Sequence, residues 1–357
     1  MLVLVLVAGC GGHGGDKSLL GDGSSAPSAT ASASPSYVPP ATPEQLLDDL
    51  AAAVRGHDRR RFMSLLGSDA DFRGRQRRLF ANLQRLPVAG LSFHQDQTGR
   101  VTRTLALGHL DEHDEVAPAG FTVGTENGRI VAVPDPSHPA TDPWDLTDVR
   151  AASDSRALVV TDVADAGMAR GLLRSVALGI ADVAPVVALP WTRTAVVYAF
   201  RDADVLASYA RVPGATQEHL GALSYPLDDP DGQRTGTRIA LLPGILDAPV
   251  AEQALIIRHE LTHAAVGTAD DASPTWLSEG VAEYVATLAV PRSKRRIATE
   301  AVRSAEAGTV VLPDSATFNG DDQALNYAVA WMACDYLAAT QGRGVLVRLM
   351  KAMTTAG

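Results

Sequence analysis

His259-Glu260-Leu261-Thr262-His263 and, shortly after it, Trp276-Leu277-Ser278-Glu279-Gly280-Val281-Ala282-Glu283-Tyr284 carry the most chemical information in this 357-residue chain. Residues four apart on an α-helix lie on one face. His259 and His263 therefore present two imidazole nitrogens to a single metal ion. Glu260, one position on, reaches toward a water rather than the ion. That is the arrangement metal-assisted hydrolysis requires.

The surrounding residues place these side chains on helices. Asp247 is positioned to cap a helix with Pro249 in its first turn, residues 250–266 propagate it, and Gly267 ends it. Leu255, Ile256 and Leu261 supply its buried surface. A catalytic zinc takes three protein ligands and leaves one position open, so two histidines are not enough. Ser273-Pro274 opens a second helix by the same capping logic, and Pro291 stops it. That helix carries Glu279 and Glu283, four apart on one face, either of which could complete the set. Gly280 is expected to give room for close approach of the first helix.

The two segments resemble the gluzincins, the thermolysin-like and aminopeptidase-like zinc peptidases. They are most similar to the peptidase-MA-like families of bacterial secreted proteins, written His-Glu-Leu-Thr-His and Trp-Leu-x-Glu-Gly-x-Ala-x-Tyr. The resemblance runs from about residue 156 to the C-terminus. It implies a thermolysin-like catalytic domain holding one Zn2+ ion through His259, His263 and Glu279. It implies that Glu283 orients the first histidine, and that a Tyr or His from a later helix stabilises the oxyanion. Tyr327, in Asn326-Tyr327-Ala328-Val329-Ala330-Trp331, is the candidate; the alternative is a tyrosine of a helix core. The implied activity is peptide-bond hydrolysis by a water that the ion activates, with Glu260 as general base. No signature for anchoring a free amino terminus is visible, so an endopeptidase is expected. One departure bears on the pocket. Residues 264–278, fifteen in all, separate His263 from Glu279, fewer than in thermolysin-like or aminopeptidase-like enzymes. The compact loop over residues 267–272 argues against a pocket of the aminopeptidase kind. The alternative function is a catalytically inactive, peptidase-like lipoprotein that binds peptide or envelope components.

Working outward, the fold class reads as α+β. Residues 43–140 form a small domain, helices first and then a meander of strands. Its element order resembles the nuclear-transport-factor-like domains. Thr42 with Pro43 starts its first helix, and residues 71–86 form a second. A Pro-rich linker follows at 134–143. The metallopeptidase domain covers 150–357, with strands at 157–160, 194–200 and 237–242 and a helix at 167–183. The strand at 237–242 is expected to offer an edge to an extended peptide.

The N-terminus sets the expected compartment. Residues 2–7 are apolar but too few to span a bilayer, and Val7-Ala8-Gly9-Cys10 resembles a bacterial lipobox, with Cys10 the acylated residue. No Lys or Arg precedes it, as a truncated start would explain. Residues 11–42 are rich in Gly, Ser, Ala and Pro and read as a disordered tether. The expected partners are a peptide or protein substrate and, through the lipid anchor, the extracellular face of a cell membrane. Net charge of −10 and pI near 5.3 exclude a nucleic-acid binder. The arginine-rich stretches at 59–61, 73–78 and 292–296 read as solvated helix faces or helix ends. His109 and His113 share a polar turn and read as incidental, and Cys334 reads as a small buried hydrophobe.

Overall fold

The computed structural model describes residues 41–110, 115–116, 121–133, 142–164, 166–202, 205, 221–228, 234–295 and 299–354. Cys10, residues 11–40 of the tether and His113 lie outside the described residues. The first helix, α1 (Pro43–Arg55), opens on a reciprocal cap: Thr42 Oγ1 accepts from Gln45 N, and Gln45 Oε1 accepts from Thr42 N. Helices α2 (Arg59–Ser64) and α3 (Ala70–Leu83) start at Asp58 and Asp69, whose carboxylates accept from Arg61 N and Phe72 N. Helix α2 carries the arginine stretch 59–61 and buries only Phe62 of its six residues.

An antiparallel sheet follows, made of β1 (Gly90–Gln95), β2 (Val101–Ala106) and β3 (Glu115–Val116). A hairpin of β4 (Gly124–Glu126) and β5 (Arg129–Ala132) turns at Asn127 and Gly128, with φ 50° and 68°. Such positive angles are what an Asn-Gly hairpin turn uses.

A short helix, α4 (Pro143–Leu146), buries Trp144 against Tyr198, ring centroids 6.3 Å apart. Asn82 of α3 holds it by donating to Trp144 O at 2.8 Å and Thr147 O at 2.7 Å. The main sheet then forms from β6 (Arg150–Ser153), β7 (Ala157–Thr161), β8 (Ala195–Ala199), β9 (Ala222–Asp228) and β10 (Arg234–Leu241), in the order β6-β7-β8-β10-β9. The fold is α+β with a mixed five-stranded sheet: β7, β8 and β10 run parallel, and the two outer strands are antiparallel. Helix α5 (Ala166–Val183) connects the parallel pair β7 and β8.

Both faces of this sheet are covered, which explains its nearly unbroken apolar strands. Leu158, Val160, Val196, Tyr198 and Phe200 join one core with the N-terminal helices and strands. The alternate residues Ala157, Val159, Ala195, Val197, Ile239 and Leu241 join a second core with the C-terminal helices. Those helices are α6 (Pro243–Leu246), α7 (Val250–Val266), α8 (Thr268–Asp271), α9 (Thr275–Leu288), α10 (Thr299–Glu306), α11 (Gln323–Gln341) and α12 (Gly344–Thr354).

Four expectations are corrected. Ser273 does not cap α9; Pro274 holds that position, and Ser273 Oγ donates to Ala269 O at 2.7 Å. Asp247 does not cap α7; Pro249 holds that position, and Asp247 pairs with Arg201 at 2.8 Å. The strand over 237–242 is not an edge, because β10 is paired on both sides and β9 is the outer strand. Pro226 of β9 obscured it in the sequence, yet proline is tolerated on an edge where its missing N–H costs no ladder bond. Gly280 makes room for α11 rather than for α7. A Cβ there would lie 2.6 Å from Ala330 O and 2.8 Å from Cys334 Sγ.

Candidate metal centre

The site is built where α7, packed against β9 and β10, lies beside α9. Helix α7 is anchored by Leu261, Ile257 and Ala265 in the second core. It meets α5 at Gly179, where a Cβ would lie 2.7 Å from a Leu261 methyl. Arg258 ties α7 to α9 by donating through Nε to Ala286 O at 3.0 Å. Helix α9 is held from its far side by α11, where Trp331 Nε1 donates to Thr287 Oγ1 at 2.9 Å. With both helices fixed, their polar faces converge.

His259 Nε2 and His263 Nε2 lie 3.1 Å apart. Glu279 Oε2 lies 3.2 Å from the first and 3.6 Å from the second. The three ligand atoms, all within 4.8 Å of one another, could hold a metal ion. Glu279 Oε2 is buried, yet no well-aligned N–H reaches it. A buried carboxylate oxygen without a donor is costly, and a cation between the imidazoles would remove that cost.

The other face of each imidazole meets a carboxylate. Glu283 Oε1 lies 3.2 Å from His259 Nδ1, as an ion-pair approach without a well-aligned hydrogen bond. Asp270 Oδ2 lies 2.9 Å from His263 Nδ1, and Ser278 Oγ donates to its other oxygen. Asp270 sits on α8 in the compact loop and was not anticipated. Its signal was present: residue 270 lies seven after His263, and the short loop returns it to the histidine face.

Electrostatics follow from this packing. Burial alone would depress both imidazolium groups. For His259, the adjacent carboxylates of Glu279 and Glu283, each 3.2 Å from a ring nitrogen, outweigh burial and raise it to about 10. For His263, Asp270 and Glu279 raise it well above the ordinary imidazole value. Burial would raise the Glu279 carboxyl, but the two histidines reverse this and hold it far below the carboxylate range. Glu260 is raised by burial, with the histidines opposing.

Glu260 is outside the cluster of three but lines the same cleft, with Ser224 of β9 as its hydrogen-bond donor. The cleft encloses about 950 Å³ and is bounded by Gly221 and the start of β9 (Ala222–Ser224), by the two site helices and by Asn319–Asp321 before α11. Tyr327 of α11 also lines it, with its ring centroid 6.3 Å from that of His259. Burial first, and then the Glu279 charge, raise the Tyr327 hydroxyl above its ordinary value and keep it a donor. Cys334 is buried and its thiol is pushed up to about 12 by burial, as suits an inert core residue. His109 lies elsewhere, with Nε2 2.6 Å from Ser155 O.

No protein-family model, curated protein or solved structure matches the chain. The geometry of the site therefore carries the functional argument alone.

Proposed function

We propose that this chain is a zinc-dependent peptidase of the gluzincin kind, an endopeptidase tethered through acylated Cys10 to the outer face of a bacterial membrane. One observation carries the reading. Three ligand atoms from two helices converge, while Glu260, adjacent in sequence to one ligand, lines the same cleft without joining them. The metal assignment has support in the distances. Tetrahedral zinc with bonds of about 2.0–2.1 Å spaces its ligand atoms about 3.3 Å apart; the separations here are 3.1, 3.2 and 3.6 Å. Two imidazoles and one carboxylate also leave a position open, as catalytic rather than structural zinc requires.

When bound by His259, His263 and Glu279, zinc supplies a Lewis acid that polarises a carbonyl and acidifies a water. The chain supplies the rest. Glu260 takes the proton of the attacking water and passes it to the leaving amine. Ser224 holds that carboxylate toward the cleft. The Tyr327 hydroxyl donates to the developing oxyanion. Glu283 and Asp270 fix the tautomer and direction of the two histidines. The free side of β9 pairs with an extended substrate main chain. In this reading residues 43–140 form an accessory domain of the nuclear-transport-factor-like kind, and 150–357 form the catalytic domain. No helix of the described residues is long and apolar enough to cross a membrane.

The test is chelation and reconstitution. Cleavage of an unstructured polypeptide should be lost on metal removal and restored by one equivalent of zinc per chain. Undiminished cleavage in the chelated protein would refute the proposal. Stoichiometric zinc without any cleavage would favour the peptide-binding, inactive alternative.

A further inference from the structure

The arginines of the N-terminal helices are not spread as a solvated face would be. Residues 55–85 hold nine arginines and no lysine against three aspartates, Asp58, Asp69 and Asp71, a balance of +6 in a chain of net charge −10. Four of them, Arg59, Arg77, Arg78 and Arg85, line one concavity of about 600 Å³, together with Gly74, Phe80, Ala81 and Gln84. No acidic residue lines it.

The placement follows from helical spacing. Gly74, Arg77, Arg78, Ala81, Gln84 and Arg85 recur at three- and four-residue intervals along α3 and its continuation, so they share one face. The hollow exists because positions 74 and 81 are small; a Cβ at Gly74 would meet nothing within 4 Å. Arg59 closes the site from α2.

Their bonding sorts the four into two pairs. Arg85 donates to Val149 O and Asn82 Oδ1, both at 2.9 Å, and Arg78 Nη2 donates to Asp145 O at 3.4 Å. These two are held in place by the fold. Even so, Arg78 Nε is buried with no acceptor, a donor left over in the wall of the hollow. Arg59 and Arg77 are exposed and have neither ion pair nor hydrogen bond among the described residues. Helix stability does not explain Arg59 either, since it begins α2, where the dipole disfavours cations.

We infer that this concavity binds a phosphate-bearing anion. Guanidinium forks match phosphate oxygens in pairs. Four of them converging without a counter-ion on an acidic protein form a local anion site that bulk charge cannot produce. A phospholipid headgroup and a soluble phosphate share this chemistry, and the inference does not depend on the peptidase reading.

The experiment uses the full chain, without added metal, and two probes. One is inorganic pyrophosphate, followed by calorimetry. The other is a pair of vesicle preparations, phosphatidylcholine alone or mixed with phosphatidylglycerol; comparing the two cancels any contribution of an N-terminal lipid. Saturable binding is expected for pyrophosphate, for the anionic vesicles over the neutral ones, or for both. Vesicles alone identify a headgroup as the source, and pyrophosphate alone a soluble ligand. The double variant Arg59→Gln, Arg77→Gln should weaken binding at least about tenfold, as loss of a charge-assisted hydrogen bond does. Gly74→Gln, which fills the hollow and keeps every charge, should weaken it similarly. Both changes are at exposed positions, and circular dichroism checks that the fold persists. The inference is overturned if neither probe binds at millimolar concentration, or if Gly74→Gln binds as well as the wild type.

Discussion

Asp270 Oδ2 stands 2.9 Å from His263 Nδ1, on the opposite side of the imidazole from the ligand nitrogen. The carboxylate is itself held by Ser278 Oγ. A histidine with Nδ1–H fixed in this way presents Nε2 as a lone pair. Carboxylate partners of ligating histidines typically contribute about 10–100-fold to metal affinity. Asp270→Asn should therefore weaken zinc binding by about that factor while leaving the helical signal unchanged. Competition with a chromophoric chelator measures it, and an unaltered affinity would show that Asp270 does not position the histidine.

A second expectation concerns pH. In the metal-free protein His259 is raised to about 10 and His263 is also raised. A raised pKa means that the folded state holds its proton more tightly than the unfolded chain does. The stability this contributes is complete below the unfolded value near 6.5 and is lost as pH climbs toward 10. Glu279 acts oppositely, its contribution being present above about 4.5 and lost on acidification. Metal binding requires both imidazoles unprotonated. The melting temperature of the metal-free protein should fall between pH 6.5 and 10, and the increment from added zinc should grow over the same interval. Thermal scans with and without zinc read both; a zinc increment that shrinks with rising pH contradicts the assignment.

Gly280 tests the packing that brings Glu279 to the histidines. A methyl group at this position meets Ala330 O at 2.6 Å and Cys334 Sγ at 2.8 Å, so α9 must move away from α11. Gly280→Ala should cost about 1–3 kcal/mol, as overpacking of a filled interface does, and should weaken zinc binding as well. Denaturant unfolding gives the first quantity. Unchanged stability would mean that the helices separate without penalty.

Tyr327 separates chemistry from binding. Its hydroxyl lies in the cleft near Glu279 but outside the ligand set. Tyr327→Phe should leave zinc content and melting temperature nearly unchanged and lower kcat by about 100-fold, as loss of an oxyanion donor does. Equal kcat in the variant would return Tyr327 to the role of a core aromatic against Phe318, whose ring centroid is 4.9 Å away.

What was legible in the sequence had short-range causes. His259 with His263, and Glu279 with Glu283, announced shared helix faces because four-residue spacing fixes them locally. Thr42-Pro43 announced α1 for the same reason. The apolar runs at 157–160 and 194–200 announced strands, and β7 and β8, which form there, are buried throughout. What stayed hidden depends on tertiary placement. Asp270 becomes a partner of His263 only once the loop folds back. β9 is recognisable only when Pro226 is seen on an edge. The neighbour that needs Gly280 to be small is α11, some fifty residues further on, and no local pattern could name it.

The central claim is that Glu260 moves protons without holding the metal. Comparing Glu260→Gln with the wild type on an unstructured polypeptide, with zinc content measured on the same samples, tests it most directly. Both proteins should carry one zinc per chain, and the variant should cleave at least about 100-fold more slowly, the size of a lost general base. A wild type without zinc, or a variant that cleaves as fast, would contradict the account.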